Sequence, residues 1–275
     1  MWYNAGETWL TRQFALEYAT LFHVLLPALA RWGWPLPLGG TSNHFRRDAL
    51  EHAGGWDPYN VTEDADLGFR LAELGYAATV ISAPTGEEAV TTLRPWERQR
   101  SRWIKGFMQT LLVRLRTFPS LVRAAGSTGV ASLVFTIALP LASSFLHGPI
   151  AIVTLAALAL GALPWTAAAF LATGYVVAAA AAATGLARSR QRDLARAIPF
   201  MPLYWPLLSV AAARAAGDAP ARRRSCSTRT ARSGFIPESG ARSLFSSATA
   251  VAASGRAGAS PKPAMPESVD AFRTT

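Results

Sequence analysis

Two short stretches of the chain hold side chains that could act on a substrate. The first reads "NVTEDADLGFRLAELGY" over residues 60–76 and places Glu63, Asp64 and Asp66 within four positions. The second reads "PWERQRSRWIKGFMQTLL" over 95–112, where Gln99, Arg102 and Trp103 stand at i, i+3 and i+4 and so share one helical face. That face offers an amide, a guanidinium and an indole. A guanidinium matches the paired oxygens of a pyrophosphate, and an indole can stack on the apolar side of a sugar ring. Each stretch also has a structural reading. Acids in a first helical turn are favoured by the helix dipole, Asp64-x-Asp66 is a metal-pair spacing that is common by chance, and Arg and Trp anchor helices beside membranes.

The elements that must position these groups are legible around them. Thr62 is suited to an N-cap, Leu67, Leu71 and Leu74 form a buried stripe, and Gly75 marks the stop, so a helix opens at the acids. Pro95 suits the first turn of a second helix. Residues 38–57, "LGGTSNHFRRDALEHAGGWD", read as a glycine turn, a short strand and a helix closed by glycines, and "ATVIS" at 78–82 reads as a buried strand. The stretch "TWLTRQFALEYATLFHVLLPALARWG" has helical apolar spacing interrupted by Pro27, with a polar start that favours a buried or interfacial helix.

Composition narrows the class. The 275 residues are 51% hydrophobic and carry a formal charge of +10, with Lys105 and Lys262 the only lysines. So basic a chain suits anionic lipid, phosphorylated substrates or nucleic acid. The aromatic RNA-binding signatures and zinc spacings that would favour nucleic acid are absent, so no nucleic-acid partner is expected. The single cysteine, Cys226, excludes an internal disulfide framework and a cysteine-rich metal site. The opening "MWYNAGETWL" lacks the basic region and apolar run of a signal peptide.

Composition shifts near 125 and 217, which divides the chain into a mixed part (1–125), an apolar part (126–216) and a basic tail (217–275). Residues 128–186 hold no Asp, Glu, Lys or Arg and a single histidine, His147, a membrane signal because a spanning helix needs roughly 20 apolar residues. Breaks at His147–Pro149 and Gly161–Pro164 predict pieces near 128–146, 149–163 and 165–186, with a further apolar piece at 198–216, three to four in all. The arginines between 94 and 123 belong on the cytoplasmic side. Two crossings before the loop bearing Arg188, Arg190, Arg192 and Arg196 return that loop to the same side, and two are favoured over three. A multi-pass protein of the inner or plasma membrane is expected, its mixed domain facing the cytoplasm. The tail, rich in Ala, Ser, Gly, Arg and Pro, reads as disordered, with "ARRRS" at 221–225 able to meet anionic headgroups.

An acidic helix start, then "QRSRW" some 35 residues later, then membrane helices: this order resembles the processive glycosyltransferases of family 2, the cellulose synthase and hyaluronan synthase-like enzymes. Their T-E-D motif stands here as Thr62-Glu63-Asp64, and their Q-x-x-R-W motif as Gln99-Arg100-Ser101-Arg102-Trp103. The stretch around Gly40, Thr41, Ser42 and Asn43 resembles the family's acceptor-side segment, and "PLYWPLLSVAAARA" a membrane helix of a bacterial subgroup. The resemblance implies an α/β partial GT-A-like domain followed by transmembrane helices. It implies inverting transfer of a hexose from a UDP- or GDP-linked sugar to a glycan or lipid acceptor among membrane lipids. Carried over by motif, Asp64 is the general base, Thr62 and Glu63 hold the helix start, Arg102 binds the diphosphate, Gln99 helps position it, and Trp103 floors the acceptor site.

The family also implies a Mg2+ or Mn2+ ion held by a D-x-D motif in a nucleotide-binding half that precedes T-E-D. Residues 1–60 supply no such motif, so the metal ligands and the donor half are expected outside this chain. The alternative readings are a non-catalytic membrane protein or gene remnant that retains the scaffold, and a basic membrane-surface binder.

Overall fold

Pro27 removes a backbone N–H from the middle of an apolar stretch, yet it does not end the first helix. In the computed structural model, which describes residues 4–40, 42–81, 83, 85–217 and 251–256, α1 (Trp9–Thr20) runs through a π-helical turn (Leu21–Leu25) into α2 (Leu26–Arg31). Thr8 closes the start with a reciprocal capping box to Thr11. Pro27 deprives the His23 carbonyl of its helical donor, and Arg188 replaces it with an Nη1–H bond of 2.8 Å. The expected interruption is therefore bridged. Trp9–Arg31 is long and apolar enough to cross a membrane, but Phe14, Ala15, Leu16, Leu26 and Leu29 are buried against the rest of the protein.

After α2 come β1 (Asn43–Phe45) and α3 (Arg47–His52), closed by Gly54 and Gly55 at φ 75° and 69°. Next, α4 (Glu63–Glu73) buries Leu67 and Leu71 and half-buries Leu74, as its spacing predicts. The chain leaves it through Gly75 straight into β2 (Tyr76–Val80), two residues earlier than the strand expected at 78–82. This strand is not buried on both faces. Tyr76, Ala78 and Val80 pack on the Leu26, Leu29, Leu67 and Leu71 cluster, while Ala77 and Thr79 face outward. A third strand, β3 (Val251–Arg256), lies between β1 and β2, parallel to the first and antiparallel to the second. This segment departs from the disordered reading of the tail: its backbone pairs with the edges of both other strands. The rest of the tail, including Arg222–Arg224, lies outside the described residues.

The long helices follow. α5 (Leu93–Arg116) leads into α6 (Phe118–Leu133), bent at Gly126, where φ is 59° and ψ −154°. A π-helical turn (Val134–Ala138) joins α6 to α7 (Leu139–Ala159). The break expected at His147–Pro149 is absent, and α7 runs through Pro149. The neighbouring α9 (Met201–Gly217) explains why: Ser209 Oγ accepts the Gly148 N–H at 2.7 Å, so a second helix supports the backbone there. The break at Gly161–Pro164 is present, and α8 (Trp165–Arg188) begins after it. A 3-10 segment (Arg192–Phe200) then leads into α9. Between α5 and the arginine loop lie two helical stretches long and apolar enough to span, Phe118–Ala159 and Trp165–Arg188; Arg192–Gly217 is another. Ile152, Val153, Leu155, Phe170 and Val176 sit exposed on their flanks, an outward apolar surface suited to hydrocarbon.

One core joins the mixed and apolar parts. Phe14 of α1 and Trp96 and Ile104 of α5 are buried in a cluster with Ala182 and Leu186 of α8 and Tyr204 and Ala211 of α9. At Gly185 a Cβ would lie 2.5 Å from the Ala19 carbonyl oxygen, so α8 presses its backbone onto α1.

Candidate functional site

The two chemistry-bearing stretches meet where α5 crosses the start of α4. Thr62 occupies the N-cap position, but its hydroxyl does not cap the helix, contrary to the sequence expectation. At φ −116° and ψ 53° the side chain turns to α5 instead, with Oγ1 3.2 Å from Thr110 Oγ1. Asn60 joins them: its Nδ2 donates to Thr110 Oγ1 at 2.9 Å, and its Oδ1 accepts the Thr62 N–H at 3.1 Å. Gly106, one turn before Thr110, makes this approach possible, since a Cβ there would lie 2.5 Å from Thr62 Cγ2. One turn beyond Thr110, buried Arg114 lies 3.0 Å from Asp66 Oδ1 and 2.8 Å from Glu73 Oε1. Arg70 also binds Asp66, at 2.8 Å.

The three acids thus part company. Asp66 is buried in ion pairs and is no metal partner for Asp64. Among the described residues no group of three or more His, Cys, Asp and Glu side chains is placed to hold a metal ion. Glu63 is half-buried in the first turn. Among the described residues Asp64 accepts only a local bond, from the Ala65 N–H at 2.7 Å. Burial pushes its carboxyl up to about 6; the Ala65 N–H bond opposes that rise and the Glu63 charge adds to it.

The acceptor-side segment lies against this acid. A Cβ on Gly40 would be 3.2 Å from Asp64 Oδ2, so the loop backbone passes beside the carboxylate. Ser42 holds φ 54° and its hydroxyl meets that of Thr85. Asn43 donates from Nδ2 to the Gly39 carbonyl, leaving Oδ1 buried with no hydrogen-bond partner among the described residues. Thr41 lies outside the described residues.

On α5, the face expected to carry Gln99, Arg102 and Trp103 runs on through Gly106 toward Thr62, but its members differ in exposure. Gln99 is half-buried with Oε1 unpartnered among the described residues. Arg102 is exposed and makes no hydrogen bond or ion pair there. Trp103 is half-buried, its indole 6.1 Å from the Phe14 ring.

Sequence reasoning missed Arg100, which occupies a variable position of its motif. Its guanidinium lies 4.4 Å over Phe14, 5.0 Å over Trp103 and 5.7 Å over Trp96. It ion-pairs with Glu17 and donates to Tyr204 Oη at 3.1 Å, while Tyr204 donates to Glu17 at 3.0 Å and accepts from Trp96 Nε1 at 3.0 Å. Tyr18 was missed too. It stacks on Phe14 at 5.1 Å, on the ring that also lies under the Arg100 guanidinium. The signal for Tyr18 was its i, i+4 pairing with Phe14, which reads equally as core. Arg100 and Trp103 also line a cavity of about 490 Å3 between α5, α7 and α9.

Residues 1–181 match the family described as glycosyl transferase family group 2. The chain belongs to that family. Among curated relatives, the probable glycosyltransferase YdaM of Bacillus subtilis (strain 168) is 35% identical over 123 residues, 44% of this chain and 29% of the relative. The beta-monoglucosyldiacylglycerol synthase of Trichormus variabilis is 38% identical over 76 residues, 27% of this chain and 16% of its own length. The probable glucomannan 4-beta-mannosyltransferase 6 of Oryza sativa subsp. japonica is 32% identical over 104 residues, 38% and 18% of the two chains. This family member thus spans less than a third of each of these relatives. No solved structure matches it.

Proposed function

We propose that this family 2 glycosyltransferase contributes the acceptor side and membrane region of an inverting, cellulose synthase-like hexosyltransferase with a GT-A-like domain. The donor is a UDP- or GDP-linked sugar, and the acceptor a glycan or lipid at the membrane. One observation carries the reading: Gly106 and Thr62 lock the Q-x-x-R-W helix onto the T-E-D helix start. The relatives' names, a glucosyldiacylglycerol synthase and a mannosyltransferase, supply the two acceptor classes.

In this reading Asp64 takes the proton from the acceptor hydroxyl as that oxygen attacks the anomeric carbon. A carboxyl raised to about 6 is ionised at neutral pH yet remains a stronger base than an ordinary aspartate. Thr62 and Glu63 fix the helix start. Arg102, exposed and unpaired among the described residues, binds the departing diphosphate and offsets its charge. Gln99 and Asn43 turn buried acceptor oxygens to substrate hydroxyls, and Trp103 supplies the stacking floor. The described residues offer no fitting donor set for a divalent cation, so the Mg2+ or Mn2+ of the family would need other ligands, and no step here depends on it.

Two crossings, by Phe118–Ala159 and Trp165–Arg188, would return the loop of Arg188–Arg196 to the side of the α5 arginines, and the positive-inside rule favours the cytoplasm for both. The test is incorporation of labelled sugar from UDP- and GDP-sugars by membranes expressing the full genomic reading frame. Transfer above that of membranes without the protein is expected, with loss on Arg102→Ala; equal incorporation in all three would refute the reading.

A further inference from the structure

The cavity between α5, α7 and α9 has a composition that the reaction at Asp64 does not by itself require. Nine of its fourteen lining residues are apolar, Ile104, Phe107, Phe135, Leu139, Leu141 and Leu208 among them. Its hydroxyl-bearing lining residues are bonded within their own helix: Ser144 Oγ donates to the Pro140 carbonyl at 2.8 Å, and Ser143 Oγ lies 2.8 Å from His147 Nδ1. Such a wall leaves few polar groups to replace the water around sugar hydroxyls, and burying those hydroxyls unpaired is costly. It suits hydrocarbon.

Size and placement point the same way. A methylene is about as large as a water molecule, whose share of liquid volume is about 30 Å3. The cavity, about 490 Å3, therefore takes on the order of 16 such groups, the length of one long acyl chain. Phe135 and Leu139 in its lining are 56% and 49% exposed, so it opens on the flank of the long α6–α7 stretch, the surface that a bilayer would cover. Phe135 belongs to the π-helical turn Val134–Ala138, a local widening of the kind frequent at functional sites. The charged lining residues, Glu17 and Arg100, stand with Trp103 where α1 meets α5.

From this we infer that the acceptor is a lipid with a hydroxyl headgroup: an acyl chain enters between Phe135 and Leu139 and fills the cavity, and the head leaves it past Trp103, along the α5 face that runs through Gly106 to the T-E-D helix start, where its hydroxyl meets Asp64. The inference rests on the glycosyltransferase reading and names its acceptor class.

The test uses the full protein in nanodiscs and a diacylglycerol with a photoreactive group in its acyl chain. Labelling is expected at the α7 and α9 lining residues around Leu139–Ser143 and Leu208. Excess diacylglycerol should compete at least tenfold better than triacylglycerol, which lacks the hydroxyl. Ser143→Phe, which fills the cavity, and Leu139→Trp, which blocks its exposed rim, should each cut labelling at least tenfold; the rim variant leaves the core untouched. Labelling elsewhere, labelling indifferent to both variants, or equal competition by triacylglycerol (an ordinary bilayer-lipid site) would overturn the inference. Sugar transfer is scored separately. Transfer to a soluble oligosaccharide without cavity labelling would overturn the lipid acceptor while sparing the glycosyltransferase reading. Specific labelling without transfer to any acceptor would refute that reading and leave the lipid site standing.

Discussion

Gly106 of α5 faces Thr62 so closely that a methyl group on the glycine would lie 2.5 Å from the threonine Cγ2 and 2.8 Å from its backbone nitrogen. The backbone atom cannot swing aside as a flexible side-chain end would. Gly106→Ala should therefore push α5 from α4. Overpacking costs about 1–3 kcal/mol, against about 1 kcal/mol returned by alanine's better helix propensity. A lower melting temperature with reduced transfer is expected; a rise in melting temperature with full transfer would show that the contact does not hold the site.

The Asp64 carboxyl is raised to about 6 from its ordinary 3.8, so the fold favours its protonated form. The sign follows by linkage. The stabilisation by protonation is fully present below about 4 and is lost as pH rises through about 6. Asp64→Asn, neutral at every pH, should stabilise the protein at pH 7.5 by up to about 3 kcal/mol and give no advantage at pH 4. Melting curves at the two pH values check this, and an equal shift at both would contradict the buried-carboxylate account.

Arg114 lies between Asp66 and Glu73 and is 4% exposed. Arg114→Ala strands charge in a buried place and should cost about 3–5 kcal/mol. Arg47→Ala breaks a pair with Glu51 on the surface and should cost about 0–1 kcal/mol. Denaturant unfolding of the two variants side by side checks the contrast; similar losses would argue against the network.

Arg100 and Arg102 are two residues apart but should behave differently. Arg100 is enclosed by three aromatic rings, Glu17 and Tyr204, and lysine cannot reproduce its planar fork. Arg100→Lys should lower stability by about 1–3 kcal/mol. Arg102→Lys should leave stability within about 0.5 kcal/mol and weaken inhibition of transfer by the nucleoside diphosphate. Unchanged inhibition would remove Arg102 from the donor side.

Much of this arrangement was legible because it is local. Periodicity gave α4 and its Leu67–Leu71 stripe, Gly75 gave its stop, and the uncharged run after Pro164 gave α8. The failures were tertiary. Pro149 and Pro27 read as breaks, but Ser209 and Arg188 on other helices take over backbone groups beside them. Thr62 read as a cap, but Thr110, 48 residues away, draws its hydroxyl aside. Asp66 read as a companion to Asp64 because its cation, Arg114, is likewise remote in sequence. Within the candidate site, Asp64 and Trp103 stand out in the sequence through their motifs. Arg100 was passed over because only the aromatic rings gathered around it give it a role.

The central claim is that the acid opening α4 takes the acceptor proton at a site shared with the aromatic face of α5. The pH dependence of sugar transfer by membranes carrying the full reading frame tests it most directly. The wild-type rate should fall with unit slope below a pH of about 6, and Asp64→Asn should lose at least about 100-fold and show no such limb. A variant that matches the wild type in both rate and profile would contradict the claim.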